Sequence, residues 1–204
     1  TVGFGYDLKT DDYKVVMIWS FYDVSTFGSI SQQPGLLVEV YTLSSDFWTQ
    51  INDYPLESNC RFHFERCFNG VLYWLVDFYD VCDAWSPKPA IIAFHLSHQV
   101  FQRLPMPDSF SFSDDQNSTS LVVLSESLAL FDCIDRDQRI FDLWVMENEF
   151  GVNGTWYKIL SIGPFEGIAK PLVFWSTDEH LLENENKDLT TKQIKNHLHT
   201  HYNS

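Results

Sequence analysis

Apolar residues along this chain come in short runs that alternate with polar ones or fill four to eight positions. Each run is bounded by clusters of Gly, Pro, Asn, Asp or Ser. Phe141-Asp-Leu-Trp-Val-Met146 puts Phe141, Leu143 and Val145 on one face and Asp142, Trp144 and Met146 on the other, which predicts a strand. The acidic, then Gly- and Asn-containing stretch Glu147–Gly154 predicts a turn, and Trp156-Tyr-Lys-Ile159 a second strand. By the same reading Tyr13–Trp19, Val38–Leu43, Trp48–Ile51, Ala90–Leu96, Val100–Leu104 and Pro171–Trp175 are strands. Val71–Leu75 follows the hairpin signal Asn69-Gly70, and Leu121–Leu124 with Leu128–Phe131 form a hairpin. Phe21–Gly35, Phe78–Lys88, Ser109–Ser120 and Asp132–Arg139 read as loops. No long amphipathic helical pattern precedes the last thirty or so residues. There, a short helix with Ile194 and Leu198 on one side competes with a weak final strand over Lys192–Lys195.

Three of these strands can be laid in register: Val38–Leu43, Ile91–Leu96 and Phe141–Met146. Their aromatics Tyr41, Phe94 and Trp144 recur at intervals of 53 and 50 residues. Each is followed by a turn and an aromatic-x-x-aliphatic strand, at Trp48…Ile51, Phe101…Leu104 and Trp156…Ile159. That interval is the length of a kelch-like propeller blade, and the strands at Val71–Leu75 and Leu128–Phe131 supply a blade's further members. The fold expected is all-β, an incomplete kelch-like β-propeller of about three to four blades. An irregular β-sandwich is the alternative. Trp144 and Trp156 are expected to pack in the third copy. Its loop is also longer, with 12 positions from Trp144 to Trp156 against seven from Tyr41 to Trp48 and from Phe94 to Phe101.

Composition narrows what such a fold could serve. A chain of 204 residues that is 45% hydrophobic and 16% aromatic can bury a core, so it is not a disordered segment. Its 13 Lys and Arg against 28 Asp and Glu leave a formal net charge of −15, which argues against nucleic acid or an anionic membrane as the main partner. A basic protein partner suits it better. The four cysteines, Cys60, Cys67, Cys82 and Cys133, have no paired or metal-like spacing and read as reduced thiols of a cytosolic protein. The longest apolar runs are strand-sized, far short of a membrane span. No nucleophile elbow, phosphate loop or dinucleotide fingerprint is present, so no catalytic, cofactor-binding or metal-binding residue is assigned. His197-x-His-x-His201 would align on one face of a strand, but the polar tail offers no fourth ligand beside it.

Several motifs then occur in a fixed order: Gly3-Phe-Gly-Tyr-Asp7 with Asp12-Tyr-Lys-Val-Val16, Val38-Glu-Val-Tyr41…Trp48, Asn69-Gly-Val-Leu-Tyr-Trp74, Leu143-Trp-Val-Met146 and Thr155-Trp-Tyr-Lys158. On these the sequence resembles the F-box-associated domain of plant F-box proteins, from Val2 to about Trp175. Ile162-Gly-Pro-Phe165 and Gly167-Ile-Ala-Lys-Pro-Leu-Val-Phe-Trp175 are similar to the S-locus F-box branch of the rose family. The resemblance implies a non-catalytic adaptor of a ubiquitin ligase. An amino-terminal F-box, not present in this chain, would engage the Skp and cullin subunits, while the associated domain selects the substrate. In the S-locus branch that substrate is a pistil S-RNase, recognised in the cytoplasm of pollen or the pollen tube during gametophytic self-incompatibility; the alternatives are an F-box adaptor for an unrelated protein substrate and, on the fold alone, a propeller-type enzyme. Residues 1–175 are then the associated domain, and 176–204 a polar C-terminal tail. Because the chain begins at Thr1, an amino-terminal portion is expected to precede it.

Binding residues on such a framework concentrate in its loops, which here mix aromatics with carboxylates as an anchor for a basic protein would. The candidates are Tyr22 and Asp23 in the first loop, and Tyr79, Asp80, Asp83 and Trp85 in the second. Asp114 and Asp115 lie in the third, and Glu147, Asn148, Glu149 and Phe150 in the long loop of the third copy.

Overall fold

The alternating runs become strands and the Gly, Asn and Asp clusters become reversals, so the chain folds as a succession of antiparallel meanders. A computed structural model describes residues 1–21, 35–56, 60–79, 88–110, 119–124, 126–147, 154–174, 179–184, 186 and 188–193; within these only the backbone is described at 21, 64–65, 169–174, 179–183 and 190–193. The described residues contain no helix. Strands β1 (Val2–Asp7), β2 (Asp12–Phe21), β3 (Gly35–Thr42) and β4 (Phe47–Ile51) form one sheet in sequence order. Strands β5 (Cys60–Phe68), β6 (Val71–Phe78), β7 (Lys88–His95) and β8 (Val100–Leu104) form a second. These two sheets make one compact unit, Thr1–Leu104. The other unit, Pro105–Ser204, holds the sheet of β9 (Thr119–Leu124), β10 (Ser127–Asp135), β11 (Ile140–Glu147) and β12 (Thr155–Ile162). It also holds a three-stranded sheet of β13 (Ile168–Phe174), β14 (Glu179–Asn184) and β15 (Leu189–Gln193).

The three stretches aligned in the sequence are the third strands of the three four-stranded sheets, β3, β7 and β11, and their partners are the fourth strands. Val38, Ile91 and Phe141 are buried at matching positions, as are Val40, Ala93 and Leu143. The all-β, blade-like reading therefore holds. Turn chemistry is regular as well. The loops closing β1–β2, β3–β4, β7–β8 and β10–β11 each end on a residue with left-handed backbone: Asp11, Asp46, Gln99 and Arg139. Asn69 and Gly70 both have positive φ, 48° and 72°, the requirement of the two-residue turn that an Asn-Gly pair signals.

Some expectations change. Cys60–Phe68, outside the strands expected from sequence, is a nine-residue strand whose register shifts between Phe62 and Glu65. An inserted residue of this kind breaks the two-residue period that reveals a strand. The Asp132–Arg139 loop is shorter than read, because β10 continues to Asp135 and the reversal occupies only residues 136–139. In the third copy a bulge between Leu143 and Trp144 sets Trp144 opposite Lys158 and Trp156 opposite Met146. The tryptophans therefore do not pair as Tyr41 with Trp48 and Phe94 with Phe101 do, at centroid distances of 5.3 and 4.5 Å. Beyond residue 175 the polar stretch supplies β14 and β15. The proposed helix at Ile194–Leu198 and the histidines at 197–201 lie outside the described residues.

In the first unit the sheets meet through an aliphatic and aromatic core. Val16, Ile18, Val38 and Val40 from one pack with Leu72, Trp74, Ile92 and Phe94 from the other. The glycines of Gly3-Phe-Gly5 make this approach possible, since a Cβ on Gly3 would lie 2.6 Å from the Trp74 ring and one on Gly5 2.6 Å from Cys67 Sγ. At the turn end of this core, the fully buried Asp7 accepts hydrogen bonds from Lys14 Nζ (2.5 Å), Thr10 Oγ1 (2.7 Å), the Lys9 amide (3.0 Å) and Ser97 Oγ. Lys14 Nζ also donates to the Leu96 carbonyl at 2.8 Å. Asp12 fastens the next turn by accepting from the Ser44 amide and hydroxyl. The Asp7…Asp12-Tyr-Lys14 pattern of the sequence is thus a polar clasp between turns.

Candidate partner-binding site

The third four-stranded sheet carries an open groove. Its walls are Ser127 on β10, Val145–Glu147 on β11 and Tyr157–Ile159 on β12, enclosing about 590 Å³. The groove exists where β11 and β12 part into the long loop, beyond the bulge at Leu143/Trp144. Its floor is apolar through Val145, which belongs to the core of Phe131, Phe141 and Leu143. Its rim is polar. The half-exposed Tyr157 donates its hydroxyl to the Glu147 carboxylate, and that bond holds the phenol's pKa above its ordinary value by favouring the protonated form. Lys158 reaches back to the buried Asp142 carboxylate at 2.7 Å, and Asp142 also accepts from Ser161 Oγ at 2.6 Å. Trp156 braces the outer strand by donating Nε1–H to the Pro105 carbonyl at 2.7 Å. Gly154 lets the chain re-enter β12 against Met146, whose Sδ would lie 2.9 Å from a Cβ there.

Of the residues chosen from sequence, Glu147 stands on this groove and Tyr79 is half-buried just beyond β6, in the other unit. Tyr22, Asp23, Asp80, Asp83, Trp85, Asp114, Asp115, Asn148, Glu149 and Phe150 lie outside the described residues. Ser127, Val145 and Tyr157 were missed; the only signal for them was the five-residue excess in the third copy. Among the described residues no group of three or more His, Cys, Asp or Glu could hold a metal ion, and Cys133 is a buried free thiol.

Among the described residues, four meander sheets, three of them ending in the recurring outer hairpin, make a blade-like all-β architecture. Comparison with known families agrees. Residues 1–202 match the family described as the F-box associated beta propeller domain. The chain belongs to that family. For the F-box associated beta propeller domain, an incomplete propeller of blade-like sheets is the architecture to expect from these four meanders. Relatives include the F-box protein CPR1 of Arabidopsis thaliana, 23% identical over 225 residues covering 95% of this chain and 51% of the relative. The F-box/kelch-repeat protein At3g23880 of the same plant is 25% identical over 193 residues, covering 87% and 43%. The putative F-box/kelch-repeat protein At3g22730 is 26% identical over 133 residues, covering 65% and 32%. The chain spans about half the length, or less, of these curated relatives.

Proposed function

We propose that this F-box associated domain is the substrate-holding part of a plant F-box protein, a non-catalytic adaptor in a Skp-cullin-F-box ubiquitin ligase. The observation that carries the reading is the family match over residues 1–202. The F-box itself would lie elsewhere in the full protein and bind Skp. The domain then does no bond chemistry. It holds the substrate near the charged ubiquitin-conjugating enzyme, which raises the effective concentration of a substrate lysine until transfer is in effect intramolecular.

The finer reading is an S-locus F-box protein acting in the cytoplasm of the pollen tube on a pistil S-RNase. It is supported by Ile162-Gly-Pro-Phe165, by Gly167–Trp175 and by the −15 charge, which suits a basic substrate. The test reconstitutes the full-length protein with Skp, cullin and conjugating enzyme. Ubiquitin transfer to a set of pistil ribonucleases is then compared with transfer to unrelated plant proteins at rising salt. The adaptor reading expects ligase-dependent modification of at least one protein. The S-locus reading expects that protein to be a ribonuclease, with binding that weakens as salt screens the acidic surface. Modification of unrelated proteins alone would remove the S-locus reading, and salt-insensitive binding would remove the electrostatic part.

A further inference from the structure

The first sheet has two unlike faces. Toward the second sheet it presents Gly3, Gly5, Val16, Ile18, Val38 and Val40. The opposite face carries an aromatic row running across all four strands, Phe4–Val15–Tyr41–Trp48, set by direct cross-strand pairing. Tyr6–Tyr13 and Trp19–Leu37 pair beside it. Phe4, Tyr13, Trp19 and Trp48 are 56%, 47%, 50% and 42% exposed. Rings of this size bring about 150–250 Å² each, so four of them half-exposed leave roughly 400 Å² of open aromatic surface, within the range of the largest patch on a typical monomer. The β2 run Tyr13-Lys-Val-Val-Met-Ile-Trp19 is apolar almost throughout. Such a pattern marks a strand covered on both sides, as β6 is, where every residue of Val71–Phe78 is buried. On the outer side of β2, by contrast, Tyr13 and Trp19 are exposed and Val15 and Met17 half-buried.

The composition of the open face says what would cover it. The inner face is β-branched and glycine-rich, whereas the outer face adds Phe4, Tyr6, Tyr13, Trp19, Tyr41, Trp48 and Met17 to its few aliphatic and polar members, and aromatics and Met are enriched where proteins recognise one another. The rings are also held in place. Phe4 stacks on Tyr13 with centroids 5.6 Å apart, Tyr6 donates its hydroxyl to Asp11, and Tyr41 donates to Asp46 at 2.6 Å. Charge sets the sign of the partner. The row beside the aromatic one is Val2–Met17–Glu39–Gln50, whose charged member is Glu39, and Asp11 and Asp46 stand at the turn end. A second copy of this chain would set acid against acid across the contact, each copy bringing a net charge of −15.

We propose that this face of the β1–β4 sheet is a docking surface for a basic protein segment, one that alternates apolar anchors with Lys or Arg. The inference rests on the reading that the domain holds a protein, and it adds a second surface to the groove at Glu147. The anchors lie in the row of Phe4, Val15, Tyr41 and Trp48, and a cationic side chain meets Glu39.

The experiment uses the full-length protein and two synthetic peptides of equal length, one alternating Phe and Leu with Lys and Arg, the other carrying Glu in place of the basic residues. Binding is read by calorimetry and by hydrogen exchange over β1–β4. The basic peptide is expected to bind and to slow exchange there. Tyr13→Ser with Trp48→Ser should weaken it at least about ten-fold. Glu39→Lys, which leaves the aromatic face intact, should shift preference toward the acidic peptide. Equal binding of both peptides, or wild-type affinity in Glu39→Lys, would overturn the proposal. So would protection of the face in the peptide-free full-length protein, since the protein's own chain would then cover it. Ubiquitin transfer separates this from the adaptor reading. Unchanged substrate modification by Tyr13→Ser/Trp48→Ser overturns the docking surface alone. A wild-type complex that modifies no protein, yet binds the basic peptide on this face, overturns the adaptor reading alone.

Discussion

Replacing Asp7 by Asn tests whether the polar clasp holds the first unit together. Asp7 is fully buried and Lys14 only 4% exposed, so the substitution removes the negative partner of an ammonium that cannot reach water. Lys14 would keep the Leu96 carbonyl, the neutral amide oxygen of the new side chain and the more distant charge of Asp12, but no carboxylate in direct contact. Breaking a buried pair on one side costs about 3–5 kcal/mol, because the surviving charge is left uncompensated. For a chain of this size that is a fall in melting temperature of roughly 6–20 °C. Denaturant unfolding followed by tryptophan fluorescence would register it, since Trp74 lies in the core of the same unit. The double variant Asp7→Asn/Lys14→Met, which removes both charges, should recover a large part of the loss. The pH dependence follows from the same bonds. Burial raises the Asp7 pKa, but hydrogen bonds from Lys14, Ser97, Thr10 and the Lys9 amide outweigh it and hold the carboxyl well below the usual range. Its folded value is therefore lower than its unfolded one. The stabilisation is present in full above the unfolded value of about 4 and is lost as pH falls below it. Asp7→Asn should flatten that acid limb. A loss smaller than about 1 kcal/mol, the worth of one ordinary hydrogen bond, would refute the claim that this is a buried, uncompensated pair.

Gly5→Ala should destabilise by about 1–3 kcal/mol through overpacking, because its Cβ would lie 2.6 Å from Cys67 Sγ and 2.7 Å from Leu96; adding Cys67→Ala should recover part of this in the same unfolding assay. Trp156→Phe removes the indole donor to the Pro105 carbonyl and should cost about 1 kcal/mol, with no loss expected if that bond is absent in solution. Glu147→Gln should bring the Tyr157 phenol down toward its ordinary pKa, visible in an NMR titration of the ring signals, and an unmoved titration would remove the Glu147–Tyr157 contact from the groove.

Much of the fold was legible because sheet physics is local. Period-two alternation marked β3 and β11, a continuous apolar run marked β7, and Asn69-Gly70 marked the hairpin between β5 and β6. Strand β5 was hidden because the alternation that begins at Cys60 and Phe62 breaks at Glu65-Arg66, where a register shift between Phe62 and Glu65 spoils the period. Asp132 ended the reading of β10 too soon, since a carboxylate signals a turn, yet this one is fully buried within the strand. The site was less legible than the framework. The excess length after Trp144 pointed to Glu147. Nothing local, however, says that Tyr157 hydrogen-bonds to Glu147, or that Asp7 meets Ser97 from 90 residues away. Long-range polar pairs leave no periodic trace, because one residue at each end suffices to make them.

The glycines at positions 3 and 5 also bear on how the first sheet is assembled. A strand displaced by a single residue exchanges its two faces. Such a slip of β1 would drive Phe4 and Tyr6 into spaces where even one methyl group lies 2.6 Å from Trp74 or Cys67. It would also swing Asp7 away from Lys14. A misaligned β1–β2 hairpin could still form its backbone ladder alone, but it could not close onto the second sheet. Correct alignment of the first strand is therefore proofread when the sheets meet, and β5–β8 serve as the gauge against which the opening segment is accepted or rejected.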